Sequence, residues 1–377
     1  MRRDVSAICA LIALAGVASA QTPLSPARMT DSLSDVSPHA RALYRTAFVI
    51  DMHNDLPTKI LDAHYDPDVR HEPRAGHTDL PRLKESGLTA VFLSAWVDAS
   101  YARHAPDGSW ARVQRYLETI HAFADRHPND LAFATSAADI RHAKRDGKVA
   151  ILIGVEGGHA IEGSLAHLRA LYASGARYLT LTWNNGNAWA GSSIGSHGTR
   201  TGGLTGFGRS VIAEMNRLGM LVDVSHVSDE TLRDVLAIAR APVIASHSSA
   251  RALSPHARNL TDDQLRAIAK TGGVINVNFY PRFIDPAYAA GAPHHVTPLS
   301  VLIDHIDHIA TVAGIDHVGL GSDFDGITAT PVGLDDVTTL PRIAQALIDR
   351  GYSDDDVLRV LGGNMLRVLQ EVVDRAR

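Results

Sequence analysis

A single cysteine, Cys9, occurs in the 377 residues, so the rest of the chain has no disulfide, thiolate ligand or thiol nucleophile to work with. Beyond the N-terminal segment no apolar run approaches the ~18 residues that mark a transmembrane helix. The last residues, Glu371-Val-Val-Asp-Arg-Ala-Arg377, are charged, so neither a membrane-spanning tail nor a cleaved anchor signal is expected. No basic run or stripe is present, and the formal net charge is −5. The electrostatic footprint of a nucleic-acid-binding protein is therefore missing. Low-complexity tracts are also absent. With 45% hydrophobic and 20% charged residues, the chain has ample apolar material for a large core.

The N-terminus reads as a targeting segment. Arg2 and Arg3 form a basic head, Val5 to Val17 is mostly apolar, and Ala18-Ser19-Ala20 has the small-x-small pattern of a cleavage site. Residues 1–20 are expected to be a signal peptide cleaved before Gln21, which makes the mature protein periplasmic or secreted, without a membrane anchor. Cys9 lies inside this segment and not in a lipid-attachment setting. Residues 21–45 are Pro/Ser-rich, then weakly helical, and read as an N-terminal extension. Residues 46–377 read as one catalytic domain.

Within that domain short apolar strands alternate with amphipathic helices. The strands are expected at Phe48–Asp51, Ala90–Trp96, Ala150–Val155, Tyr178–Trp183, Leu221–Ser225, Val243–Ser246, Val274–Phe279 and His317–Gly321. Six of the eight are near-continuous apolar runs, as a parallel sheet buried on both faces requires. Helix boundaries are marked by Thr261-Asp-Asp-Gln264 and Ser353-Asp-Asp-Asp356 as capping boxes, by Ser228 as an N-cap, and by Gly219 and Gly272-Gly273 as stops. Eight strand–helix units predict a distorted (β/α)8 TIM-type barrel. An open doubly wound sheet would want a Gly-x-Gly-x-x-Gly turn after its first strand, and none is present. Residues 98–148 form a helical insertion after the second strand, with a helix near Trp110–Arg126. Residues 184–208, after the fourth strand, hold eight glycines and are expected to form a loop over the barrel mouth.

In this fold catalytic groups sit at the outgoing ends of strands. His53 and Asp55 follow the first strand, two residues and about 6.6 Å apart on an extended backbone. Glu156 ends the third, His226 the fifth, His247 the sixth and Asp323 the eighth. Any one of them reads equally well as a capping or supporting group; their common placement at the rim is what argues for a site. Three histidines and three carboxylates suit hard-to-borderline divalent metals and exceed the three protein ligands of a single catalytic zinc. A two-metal centre fits better. Glu156 would bridge, His53 and Asp55 complete one metal, and His226 and His247 the other. Asp323 would serve as general acid/base on a metal-bridging hydroxide. Of the 20 histidines, others such as His121, His127, His305 and His308 are expected to be solvated.

The motifs His53-Asn-Asp55, Gly154-Val-Glu-Gly-Gly158, Asp223-Val-Ser-His226, Ser246-His-Ser-Ser-Ala250 and Gly321-Ser-Asp-Phe-Asp-Gly326 together resemble the membrane (renal) dipeptidase family of amidohydrolase-like zinc peptidases. The likeness runs from about residue 46 to 370. It implies two Zn2+ ions on the ligands named above, Asp323 as the catalytic aspartate, and Arg258 as the group binding the carboxylate of a dipeptide. It further implies tolerance of D-residues at the C-terminal position, cleavage of dehydropeptide or β-lactam amides, and a homodimer. One position departs from the family pattern. Trp183 stands where family dipeptidases carry a histidine that contacts the scissile carbonyl. Its indole N–H, or Asn184, Asn185 or His197, would have to stand in; alternatively Trp183 simply walls the pocket. The alternatives to a dipeptidase are a binuclear-metal amidase or lactonase for another small acyl compound, or a non-catalytic periplasmic protein that binds zinc or peptides.

Overall fold

The computed structural model describes residues 35–102, 108–195 and 202–376. The expected signal peptide with Cys9, residues 21–34 of the extension, and His197 lie outside the described residues. Among the described residues nine strands form: β1 (Ile50–Asn54), β2 (Ala90–Trp96), β3 (Leu131–Phe133), β4 (Val149–Glu156), β5 (Ala176–Thr180), β6 (Leu221–Asp223), β7 (Val243–Ala245), β8 (Val274–Val277) and β9 (Val318–Leu320). All pair in parallel, and a direct β2–β4 ladder from Ala90↔Ala150 to Trp96↔Glu156 closes eight of them into a barrel. The fold is a (β/α)8 TIM-type barrel.

The ninth strand, β3, was not expected. It lies within the insertion after β2, together with helices Ser109–Arg126 and Ala137–Arg145. Its three residues pair with Val149–Ile151 of β4, whereas β5 pairs with Ile153–Glu156 farther along. Both β3 and β5 thus occupy one edge of β4, which β2 flanks along its other edge; this is the distortion of the barrel. Three apolar residues are too short a run to be distinguished in sequence from a helix–helix connection.

Alternation sorts the core into two layers. Val91, Leu93, Ile151, Ile153 and Leu179 pack with helix residues such as Leu117, Ile212, Leu265, Ile306 and Ile343. Ala90, Phe92, Ala150, Leu152 and Tyr178 form the second cluster with Met365, Val368, Leu369 and Val372 of the final helix, Asn364–Asp374. The expected caps are mostly present: Thr261 and Gln264 make the reciprocal box, Ser228 accepts from Thr231 N, and Gly219 ends its helix at φ +73°. At Ser353 the hydroxyl accepts from Asp356 N but also donates to its carboxylate, so the Asp side chain is turned away from the N-cap amide. The helix Pro38–Thr46 buries Ala40, Leu43 and Tyr44 and packs against the outer helix Pro341–Asp349. His305 corrects an expectation. It is fully buried, its Nδ1 accepting from Ala250 N at 3.0 Å and its Nε2 donating to Ile284 O at 2.9 Å.

Candidate active site

Strand endings differ by a few residues from those expected, and this places the polar groups. β1 runs on to Asn54, so His53 is inside the strand, and Asp55 is the residue preceding helix Leu56–Asp62. A register shift between Asp51 and Asn54 marks the same stretch. Glu156 is the last residue of β4. β5 stops at Thr180, leaving Trp183 in the following loop. His226, His247 and Asp323 lie two or three residues past β6, β7 and β9. His226 and Asp323 adopt left-handed backbone, at φ +69° and +63°. For residues other than glycine that conformation costs on the order of 1–3 kcal/mol and persists only where the surroundings over-determine it.

These placements bring all six groups together. His53 Nε2 lies 3.4 Å from Asp55 Oδ2 and 3.5 Å from Glu156 Oε2. The other oxygen of Glu156, Oε1, lies 2.9 Å from His226 Nε2 and 3.5 Å from His247 Nε2. Glu156 thus turns one oxygen to each half of the cluster. Two overlapping groups, His53–Glu156–His247 and His53–Asp55–Asp323, have ligand atoms within 4.8 Å of one another. Asp323 therefore lies among the prospective ligands rather than apart from them. Its Oδ2 accepts from Asn278 Nδ2 at 2.8 Å. Gly326 faces it across a space with no room for a side chain: a Cβ there would stand 2.2 Å from Asp55 Oδ2 and 2.9 Å from Asp323 Oδ1.

The electrostatics suit a cation. Burial pushes the Asp55 carboxyl up to about 7, against the pull of His53, and raises Asp323 as well. Three carboxyl groups are crowded into one buried space and lack enough positive charge. Burial and the neighbouring His53 hold His247 neutral, and burial with Arg258 lowers His226 to about 4. Neutral imidazole is the ligating form. Burial opposes the charge on Glu156, but His53 together with hydrogen bonds from His226 and His247 keeps it ionised. His53 Nε2 is buried without a hydrogen-bond partner, an orphan atom at the point where a ligand atom is needed. The donor set, three imidazoles and two or three carboxylates, suits divalent cations.

A hollow of about 360 Å³ opens over this cluster, lined by Asp55, Glu156, His226 and Asp323 and walled by Trp96, Trp183, Tyr280, Phe283 and Ile327. The Trp183 ring meets Trp96 edge to face at 5.1 Å. A larger hollow of about 740 Å³, lined by His159, Asn185 and Trp189 among others, contains none of the six groups. Arg258 is 3% exposed and pairs with no carboxylate among the described residues. Its guanidinium donates to His247 O at 3.1 Å and to Ser248 Oγ at 3.4 Å, lies 5.5 Å from the Phe283 ring, and leaves Nε without a partner. A buried cation in that condition lacks an anion.

Sequence reading alone did not select Trp96 or Asn278. Trp96 was within reach, as the final residue of an expected strand. Asn278 was legible only as a polar residue inside an apolar run.

Comparison with known proteins agrees with this geometry. Residues 38–377 match the membrane dipeptidase family, peptidase family M19. Among solved structures, the probable dipeptidase PvdM from Pseudomonas aeruginosa is 26% identical, with a TM-score of 0.82 over 93% of this chain and 100% of that one. A metallopeptidase from Rhodobacter sphaeroides, liganded with a phosphinate mimic of the dipeptide L-Ala-D-Ala, is 29% identical, with a TM-score of 0.77 over 86% and 99%. A third structure, the metallopeptidase dipeptidase AC, is 30% identical, with a TM-score of 0.76 over 87% and 99%. With a barrel, a buried histidine–carboxylate cluster at its mouth and a family match spanning nearly the whole sequence, this chain belongs to the membrane dipeptidase family of metallopeptidases.

Proposed function

We propose that the protein is a zinc-dependent dipeptidase that holds two Zn2+ ions and hydrolyses dipeptides, including those with a D-residue at the C-terminal position. The observation that carries the dipeptide reading is Arg258, a buried guanidinium without a carboxylate partner, set beside a cluster suited to metal. A small substrate that ends in a carboxylate next to its scissile amide satisfies both. The L-Ala-D-Ala mimic held by the Rhodobacter sphaeroides structure supports the same substrate class.

On this reading His53, Asp55 and Glu156 hold one cation and Glu156, His226 and His247 the other. The cations, when bound, supply Lewis-acid polarisation of the amide carbonyl and a water acidic enough to be a nucleophile near neutral pH. The chain's own residues do the remainder. Arg258 takes the substrate carboxylate and fixes the amide over the cluster. Asp323, held through Oδ2 by Asn278, carries a proton on its other oxygen to the leaving nitrogen as the C–N bond breaks. Trp96 and Trp183 exclude water from one side and bound the side-chain space. Because the two ends of the substrate are fixed independently, the configuration at the C-terminal residue is weakly constrained.

One observation favours a second reading. Trp183 supplies a single indole donor and its ring packs edge to face with Trp96, which reshapes the pocket toward another small acyl compound and an amidase or lactonase activity. A non-catalytic binding protein has no use for Asp323 in addition to a full ligand set. The expected signal peptide supports a periplasmic or secreted location, and the family resemblance supports a homodimer. Among the described residues no helix is long and apolar enough to cross a membrane.

A dipeptide library, including L-X-D-X members, assayed on zinc-reconstituted protein tests the reading. Turnover of many L,D-dipeptides is expected. Bound zinc with turnover of simple amides or lactones, but of no dipeptide, would replace it with the second reading; peptide binding without any turnover would leave a binding protein.

A further inference from the structure

Each of the three clustered histidines has its second ring nitrogen held, and the three holders differ chemically. His247 Nδ1 meets Ser246 Oγ at 2.8 Å, and that hydroxyl donates to Asp223 Oδ2 at 2.6 Å. His226 Nδ1 meets Asn184 Oδ1 at 3.1 Å. His53 Nδ1 meets the hydroxyl of Tyr178 at 2.8 Å. The phenol comes from β5, three strands around the barrel from β1, and is fully buried. Its ring lies across Gly154 of β4, where a Cβ would stand 1.9 Å from the tyrosine Cζ, and stacks on Phe92 at 5.3 Å. Gly154 is thus what lets an aromatic ring cross the barrel interior and reach His53.

We infer that Tyr178 is a positioning residue that holds the His53 ring with Nε2 aimed into the cluster. The inference rests on the two-cation reading above. When Nε2 lends its lone pair to a cation, Nδ1 carries the hydrogen and donates it to the Tyr178 oxygen. Without the phenol that buried N–H is left unpaired whenever the cation is bound, and the ring loses the contact that fixes its rotation.

The test is zinc titration of metal-stripped protein against a chromophoric chelator, for wild type, Tyr178→Phe and Phe92→Leu. Wild type is expected to take two equivalents. Tyr178→Phe is expected to bind one of the two about 10–100-fold more weakly, the usual effect of losing a partner behind a ligating histidine, with unchanged circular dichroism. Phe92→Leu disturbs the packing of the tyrosine ring but leaves its hydroxyl, and is expected to keep both affinities within a few-fold. Cobalt substitution should show the altered absorption at one of two sites. A Tyr178→Phe variant that binds both equivalents as tightly as wild type overturns this inference alone. Equal weakening in Phe92→Leu also overturns it, by reducing the effect to packing. Wild-type protein that takes up no cation overturns the two-cation reading along with it.

Discussion

Asp323 and Arg258 are the residues whose charges the surroundings leave unbalanced, and each yields a measurement. Asp323 stands in a left-handed turn with one oxygen held by Asn278 and the other against Gly326. Replacing it by asparagine preserves size and the Asn278 contact region but removes the proton carrier. Asp323→Asn is expected to retain metal content while kcat falls about 10²–10⁴-fold, the range for losing a general acid/base; full activity in metal-loaded variant would remove Asp323 from that role. Arg258 makes no ion pair among the described residues, so its removal breaks no salt bridge. Arg258→Met is therefore expected to raise KM for a dipeptide by roughly 10–100-fold, the worth of a charge-assisted hydrogen bond of about 1.5–3 kcal/mol. Its thermal midpoint should be equal to wild type or higher. A clear drop in midpoint with KM unchanged would make Arg258 a structural residue.

At the scale of elements, His305 shows what a helix can hide. It sits in helix Leu299–Ala313 and ties that helix to the loop after β7 through Ala250 and to the end of helix Pro281–Ile284 through Ile284. Burial is the chief cause of its lowered pKa. The unfolded chain therefore takes up a proton that the folded chain refuses, and stability is lost as pH falls below the ordinary imidazole value of about 6.5. Denaturant titrations at pH 7 and pH 5 should show His305→Gln losing less stability over that interval than wild type. An identical pH slope in the two proteins would mean that His305 is as readily protonated folded as unfolded. Period and composition did not reveal this burial, because a polar residue in an amphipathic helix is assigned to solvent unless the loop beyond it supplies a donor and an acceptor. The same limit applies to β3, three residues that become a strand only because the first half of β4 has an open edge.

For the molecule as a whole, cations that bind only the folded barrel stabilise it by mass action, by about 2.7 kcal/mol at a hundredfold excess over Kd. Stripping the protein with a chelator is expected to abolish dipeptide hydrolysis and lower the thermal midpoint, with both restored by Zn2+. A midpoint insensitive to chelation and readdition would separate the cluster from metal binding. The barrel also explains why six distant residues lie in one group. Asp55 and Asp323 are 268 positions apart in sequence yet share the space in front of Gly326, because β1 and β9 are neighbours in the barrel.

The order of apolar strands and capped helices determined the barrel, since a parallel sheet buried on both faces leaves a pattern that few folds share. The polar residues at strand ends likewise single out His53, Asp55, Glu156, His226, His247 and Asp323 as candidates. Tertiary structure alone decided which oxygen of Glu156 faces which histidines, that Arg258 is buried without a partner, and that Trp183 leans on Trp96 beyond the end of β5. It alone brought the Tyr178 hydroxyl across Gly154 to His53. Those facts depend on distances between strands far apart in sequence, and hydrophobic periodicity reports only which face of its own element a residue occupies.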